Sequence, residues 1–344
     1  MSDLFDETPE ARAFCESVMA DIDAYRLFED ERFTKLLAGV LSTTAPDKHG
    51  ELIDVDELQR LVSQTSSRVI WSSAQHDPLI QTAGRLIASR LFYAPVSRIH
   101  FIAIVAGFYD PTKLRSFSDV NTVPAPPHER CSVPADEACL SRVQVVYSRH
   151  EIPASFIEEL LKDAPSIVTR EPELAFRKAA APLPILELAI PAALLFNPFS
   201  QKFLGRLGEK AADGLVELIK WVSTTVAKRI ALLRKDRVVL VFSIVHRGCD
   251  ISLVVDSRDE TVLAVAAQSL GDGIASAIEL SERLEHLQMD RLVYEFAIKE
   301  AVWKPLHGAS RRIGVISDRP ILSALDNVKG FSIAGTGRYE EGDE

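Results

Sequence analysis

Two histidines and two cysteines occur close enough in the sequence to suggest a zinc site. His128, Cys131, Cys139 and His150 supply two imidazoles and two thiols, the ligand types of a tetrahedral Zn²⁺ centre. Structural zinc sites usually contain paired Cys-x2-Cys knuckles, whereas these four residues have an irregular spacing in and beyond a proline-rich stretch. We therefore expect no tightly bound metal, and zinc at these residues remains the alternative.

A second candidate site pairs a thiol with an imidazole. The stretch HRGCD at residues 246–250 places His246 and Cys249 on either side of a predicted tight hairpin. If both side chains share a face, the imidazole could activate the thiol as a nucleophile. A reactive thiol needs a depressed pKa, and no oxyanion-stabilising group accompanies the pair, so an ordinary strand-end cysteine is favoured.

Two further stretches contain weaker candidates. Gly271 and Gly273 lie where a strand is predicted to lead into a helix, and the backbone amides of a helix N-terminus can hold phosphate. Asp272 would repel an anion there, so a plain turn is favoured. Asp318 follows the strand-like stretch RRIGVIS and is either an acid at a strand end or the cap of a helix starting at Pro320. The other histidines are interpreted as surface or satisfied core residues: His49, His76, His100, His286 and His307.

Helical spacing dominates the first 120 residues, which predicts a helical N-terminal domain. Thr8-Pro9 and Asp54-x-x-Glu57 are typical helix starts, and apolar residues at helical spacing predict further helices over 33–41 and 78–91. Residues 99–108 fit a buried helix or a buried strand equally well. Residues 121–138 are rich in proline and predict a linker.

The middle segment, residues 139–235, contains the longest helical pattern. A strand at 143–147 and a helix at 154–161 are predicted first. Nine apolar residues between Leu204 and Leu233 then recur at close to 3.6 residues per step. They predict one straight amphipathic helix over residues 200–235, about 54 Å long at 1.5 Å per residue. We expect this helix to be a spine and a contact surface for a protein partner or a second copy.

From Arg237 the apolar pattern changes to that of strands. Three runs separated by Arg247-Gly248 and by residues 257–260 predict an antiparallel meander, followed by a helix over 273–288 and strands near 292–298 and 311–317. Residues 236–335 are thus predicted to form an α+β domain, a mostly antiparallel sheet with helices on one side. Residues 336–344 are predicted to be a disordered tail. The fold class predicted for the whole chain is α+β.

The apolar stretch 181–203 raises the question of a membrane. Its longest uncharged run, from Leu188 to Gln201, has 14 residues and contains two prolines, which is too short and too interrupted for a spanning helix. We expect no stable membrane insertion. Whether the stretch is core or interface stays open.

Charge and cysteine content narrow the classes of partner. The net charge is −10, and residues 1–63 contain 15 acidic and 6 basic side chains, so a nucleic acid partner is not expected. Four scattered cysteines and an acidic start without a leader pattern predict a cytoplasmic protein with free thiols.

Three functional hypotheses follow. The first is a non-enzymatic interaction or regulatory protein that acts as an oligomer or complex subunit and needs no cofactor. The second is an enzyme or small-ligand-binding protein that uses the C-terminal α+β domain, with His246, Cys249 and Asp318 as candidates. The third is a membrane-active effector that exposes residues 181–233.

Overall fold

Two β-sheets organise the protein in a computed structural model that describes residues 2–46, 50, 52–73, 77–120, 142–147, 151–170, 184–191, 208–233, 235 and 237–318. The zinc candidates, the predicted linker 121–138 and the predicted tail 336–344 lie outside these residues.

The elements in chain order are α1 Ser2–Glu7, α2 Pro9–Ala20, β1 Lys35–Thr43, α3 Val55–Ser67, β2 Trp71–Ser73, β3 Thr82–Ala94, β4 Ile99–Phe108, α4 Phe117–Val120, β5 Val143–Tyr147, α5 Ala154–Lys162, β6 Val168–Arg170, β7 Ile185–Ala189, α6 Gly208–Trp221, a π-helical segment Val222–Val226, α7 Ala227–Leu232, β8 Val239–His246, β9 Cys249–Asp256, α8 Glu260–Gln268, α9 Leu270–Arg283, β10 Met289–Ala297, β11 Val302–Ser310 and β12 Gly314–Ser317.

The first sheet is antiparallel, with strand order β1-β4-β3-β2. Its central strand β4 is covered on both faces, which explains why the run IHFIAIVAGF is apolar throughout. Phe101 and Val105 pack against α2 on one face, whereas Ile102 and Ile104 pack against α3 on the other. Because successive side chains of a strand point to opposite faces, such a strand has no polar side.

The prediction of a helical N-terminal domain is wrong, because most of residues 33–41 and 78–91 belong to strands β1 and β3. Both strands contain a bulge, between Val40 and Ser42 in β1 and between Leu86 and Ala88 in β3. A bulge inserts one extra residue into a strand. Apolar residues on either side of the bulge are then three positions apart instead of two, a spacing that also occurs in helices. The two helix starts were predicted correctly: α2 begins at Pro9, and the Asp54 carboxylate accepts a hydrogen bond of 2.7 Å from the Glu57 amide.

A buried ion pair fixes the irregular segment that precedes β1. The two carboxylate oxygens of Glu31 accept hydrogen bonds of 2.8 Å from Nε and Nη2 of Arg85, and the Tyr109 hydroxyl donates to Glu31 at 2.6 Å. The side chains of Glu31 and Arg85 are 0% and 4% exposed. Burial, reinforced by Glu31, raises the pKa of Tyr109, so its hydroxyl keeps the proton that it donates.

The second sheet has eight strands in the order β12-β11-β10-β9-β8-β7-β5-β6 and is mixed. Three neighbouring pairs are parallel, namely β5–β6, β7–β8 and β9–β10. The predicted meander is therefore only partly present. Its first two runs form the hairpin β8–β9, with Arg247 and Gly248 at positive φ as a two-residue hairpin turn requires. The third run is helix α8, whose start is capped by Asp259 through bonds to the amides of Thr261 and Val262.

The helices of this part of the chain pack together on one face of the eight-stranded sheet, where they form the largest core. The described helices of the β7–β8 and β9–β10 connections both lie on this face. Both connections lead to the neighbouring strand on the β12 side of the sheet, although β7 and β9 are antiparallel. The two crossovers therefore have opposite hands, and one of them departs from the right-handed rule. The two units are not copies of one repeated βαβ motif.

The prediction of one straight helix over residues 200–235 is also wrong. The described helical residues run from 208 to 232, and their α-helical geometry is interrupted by the π-helical segment. Within this segment the hydroxyls of Ser223 and Thr224 both donate to the Lys220 carbonyl. Leu218 and Ile230 on its apolar side are fully buried in the sheet core. The chain itself thus covers the apolar side of this helix, and a second chain is not needed for that purpose.

Candidate functional site

The predicted thiol–imidazole pair does share one face of the sheet. His246 and Cys249 are directly opposite each other across the β8–β9 hairpin. Burial raises the pKa of the Cys249 thiol to about 12, and the nearby carboxylates of Asp250 and Asp290 contribute. Burial and Arg247 lower the pKa of His246, against the opposing effect of Glu282, which lies 3.4 Å from its Nε2. The thiol is therefore protonated near neutral pH, which opposes a nucleophilic role.

Asp318 has a structural contact. Its carboxylate accepts a hydrogen bond of 2.7 Å from the Phe117 amide, and the neighbouring Ser317 amide donates to the Arg115 carbonyl at 2.8 Å. These bonds join the end of β12 to the start of α4. Because β10 and β11 separate β9 from β12, Asp318 lies about 14 Å or more from the hairpin at a strand spacing of about 4.7 Å. The three predicted catalytic candidates do not form one site.

Protein side chains fill the space around Gly273, one of the two phosphate candidates. A Cβ atom at Gly273 would come within 2.6 Å of the Trp303 ring and 2.7 Å of the Leu253 side chain. Ser269 lies just before the helix, where its hydroxyl accepts a hydrogen bond from the Trp303 indole at 3.1 Å. The Gly273 amide is bonded to the Ser269 carbonyl. Gly273 thus allows α9 to approach the sheet, whereas space around Gly271 is open.

No group of three or more metal-ligating side chains occurs within the part of the chain that the structure describes. His128, Cys131, Cys139 and His150 lie outside that part, so the zinc alternative stays untested.

The face of the eight-stranded sheet opposite the helices has a mixed character. A small apolar cluster lies at its centre, formed by Ile185, Val239, Val241, Val254 and Val293. Beside the cluster, polar side chains follow one row across neighbouring strands. Ser243 pairs with Ser252, and His307 pairs with Ser317. Both pairs lie on the row that passes through Val293, because Ser252 and His307 are its two partners.

The chain covers this face with a segment of its own, Asp77–Leu79, which we call the docking segment. The Asp77 carboxylate accepts a hydrogen bond of 2.6 Å from Nη1 of Arg237. The Pro78 carbonyl lies 2.9 Å from Nε2 of His307, and Leu79 packs against the apolar cluster. We call Arg237, His307 and the apolar cluster together the docking face.

His307 has the most unusual environment on the docking face. Its side chain is 0% exposed, and burial lowers its pKa to about 3, with Arg291 contributing. The imidazole is therefore neutral at ordinary pH. Because the Pro78 carbonyl can only accept, Nε2 carries the proton, and Nδ1 is a buried acceptor that has no hydrogen-bond partner among the described residues. The hydroxyl of Ser317, directly opposite in β12, is also buried and has no partner within the same part of the chain.

A second set of contacts lies at the edge of this face. The Trp71 indole donates to Asp290 at 3.0 Å, and Arg311 donates to the other oxygen of that carboxylate at 2.7 Å. Burial raises the pKa of Asp250, while the positive charges of Arg68 and Arg291 oppose this shift. Arg68, directly after α3, and Trp71 of β2 thus lie near charged residues of β9 and β10.

Sequence reasoning missed this site. The apolar spacing predicts a helix over 78–91 that begins at Pro78, and it gives His307 no role beyond that of a surface or satisfied core histidine. The contacts join residues 160 and 229 positions apart in the chain, and no local pattern indicates such pairs.

Comparisons with protein-family models, with curated proteins and with solved structures gave no match.

Proposed function

We propose that the protein is a non-enzymatic interaction or regulatory protein that acts as an oligomer or complex subunit in the cytoplasm. The observation that supports this proposal is the docking of Asp77–Leu79 on the face of the eight-stranded sheet opposite the helices. A carboxylate, a backbone carbonyl and one aliphatic side chain each contact a matching group on that face. Such a combination is typical of protein–protein recognition.

The contact between the docking segment and the docking face has the features of an interface that can open. Contacts between parts of one chain resemble transient protein interfaces, which are more polar than cores. Of the hydrophobic side chains that the structure describes, Leu79 is the one that packs against the apolar cluster from outside it. The ion pair with Arg237 is partly open to solvent, since 35% of the Arg237 side chain is exposed. Opening would expose the apolar cluster and the donors of Arg237 and His307 to a partner.

An enzyme that uses the same region is the second candidate. His307 and Ser317 face each other in register, as a base and a hydroxyl nucleophile would. Against this role, both side chains are buried, and a pKa of about 3 makes His307 a weak base. The docked arrangement therefore favours recognition over catalysis.

The membrane-effector hypothesis gains little support from the described residues. The described part of the 181–203 stretch contains β7, whose Leu186 and Leu188 are fully buried. No single described helix is long and apolar enough to cross a bilayer, and only α8 and α9 taken together, bent by 55°, meet the criteria of length and composition.

The proposal predicts that releasing the docking segment changes the association state. Leu79→Asp places a charge against the apolar cluster and should open the contact, because an unpaired carboxylate is costly in apolar surroundings. The released protein should then self-associate as its concentration rises, which light scattering would detect.

The matched control is Val96→Asp, which adds the same charge in the turn between β3 and β4, at a position that is 80% exposed. It should leave the scattering mass unchanged. If Leu79→Asp has the same mass as wild type at every concentration, the proposed function loses its main support.

A further inference from the structure

We propose that the docking face is a peptide-binding site and that Asp77–Leu79 is its internal ligand. The partner that fits is a polypeptide segment with a carboxylate side chain, then an accepting backbone carbonyl, then a branched aliphatic side chain. This inference rests on the proposed function and adds to it the chemistry of the partner.

The carboxylate subsite is a preoriented arginine. Nε of Arg237 donates to Asp256 at 2.8 Å, while Nη1 of the same guanidinium donates to Asp77. Asp256 thus holds the guanidinium plane and leaves its other donors for a ligand. Charge-assisted bonds of this kind are short and directional, so the subsite selects an acidic side chain over a neutral one.

The carbonyl subsite is the Nε2–H group of His307. The ring is fixed within the core between β10 and β12, and a buried donor must find an acceptor. Pro78 provides that acceptor in the docked chain. A side chain is not needed at this position of the ligand, because the contact is to the backbone.

The apolar subsite is the cluster under Leu79. Four valines and Ile185 form it on neighbouring strands β7 to β10, and they offer an apolar floor for one branched side chain. Burying such a side chain is worth about 1.5–3 kcal/mol, which suits an anchor in a short recognition segment.

The docking segment is held in its bound shape by its own bonds. The Leu79 amide donates to the Asp77 carboxylate at 2.9 Å, the Ile80 amide donates to the Asp77 carbonyl at 3.1 Å, and Pro78 fixes one backbone torsion. Preorganisation lowers the entropy cost of docking. A tethered segment also has an effective concentration in the millimolar range, so a separate segment binds well only when the internal one is released.

The test uses the full chain and a synthetic peptide of residues 77–82, Asp-Pro-Leu-Ile-Gln-Thr. The variant Asp77→Ala/Leu79→Ala disables the internal ligand and keeps the docking face. In histidine-labelled protein, the imidazole signals of His307 should shift saturably with the peptide, with an affinity about tenfold or more above that for wild type. A peptide with asparagine in place of aspartate should bind more weakly, and adding Arg237→Ala to the variant should abolish the shift.

Absence of a saturable His307 shift in a variant whose circular dichroism matches wild type would overturn the inference. A second measurement needs no folded variant. At millimolar concentration, where it competes with the internal segment, a peptide with a photoreactive leucine should irreversibly capture the fraction of wild-type protein whose segment is released, with cross-links at Val239, Val241, Val254 or Val293; cross-links only elsewhere would also overturn the inference. If Leu79→Asp self-associates but the peptide fails both tests, the proposed function survives and this peptide site does not.

Discussion

His307 links the chemistry of one residue to the stability of the whole protein. Its folded-state pKa of about 3 is below the value of about 6.5 expected in an unfolded chain, so the unfolded state binds more protons between these two values. The neutral imidazole therefore makes its full contribution to the free energy of unfolding above about pH 6.5, and this contribution is lost as the pH falls towards 3.

Replacing His307 by glutamine should reduce the pH dependence of the free energy of unfolding. The free energy of unfolding of wild type should fall by several kcal/mol from pH 7 to pH 4, and the variant should have a smaller slope over this range. Urea unfolding at several pH values measures both slopes. Ser317→Ala is the control, because it alters the same pair without removing a titrating group; equal slopes for all three proteins would contradict the buried, neutral state of His307.

At the scale of the element, the start of α9 depends on one glycine and not on its neighbour. Gly273→Ala places a methyl group against Trp303 and Leu253 at distances that no side chain tolerates, and overpacking of this kind costs about 1–3 kcal/mol. Gly271→Ala meets open space and should be neutral or stabilising by up to about 1 kcal/mol, since alanine favours the helix. Urea denaturation of the two variants compares them directly, and equal stabilities would show that α9 does not approach the sheet closely.

Elements were predictable where a local cue sets them. The hairpin turn at Arg247-Gly248, the strand Val143–Tyr147 and the helix starts at Pro9 and Asp54 each depend on residues next to one another. Strands β1 and β3 were not predictable in this way, because bulges distort their alternation and pairing with β4 stabilises them. Strand β11 was missed because Pro305, Gly308 and Ser310 hide its pattern, although the strand lies inside the sheet between β10 and β12.

At the scale of the whole molecule, the contact between the two sheets could not be predicted from the sequence. It requires Asp77 and Pro78, from the region that follows the first helices, to meet Arg237 and His307 from the second sheet. The predicted contact of the long helix with a partner also depends on the whole fold, because the chain's own sheet covers the apolar side of that helix. The docking face is thus the described surface on which the interaction proposal now depends.

A double-mutant cycle measures whether Asp77 and Arg237 interact in the folded protein. The free energies of unfolding of Asp77→Asn, Arg237→Gln and the double variant should give an interaction energy of about 0.5–3 kcal/mol. The exposed pair Glu300–Lys304, joined at 2.9 Å between the β10–β11 turn and strand β11, serves as the reference and should give a smaller interaction energy. If the effects of Asp77→Asn and Arg237→Gln add to within about 0.3 kcal/mol, the segment is not docked on the sheet as described, and the proposals built on that contact fail with it.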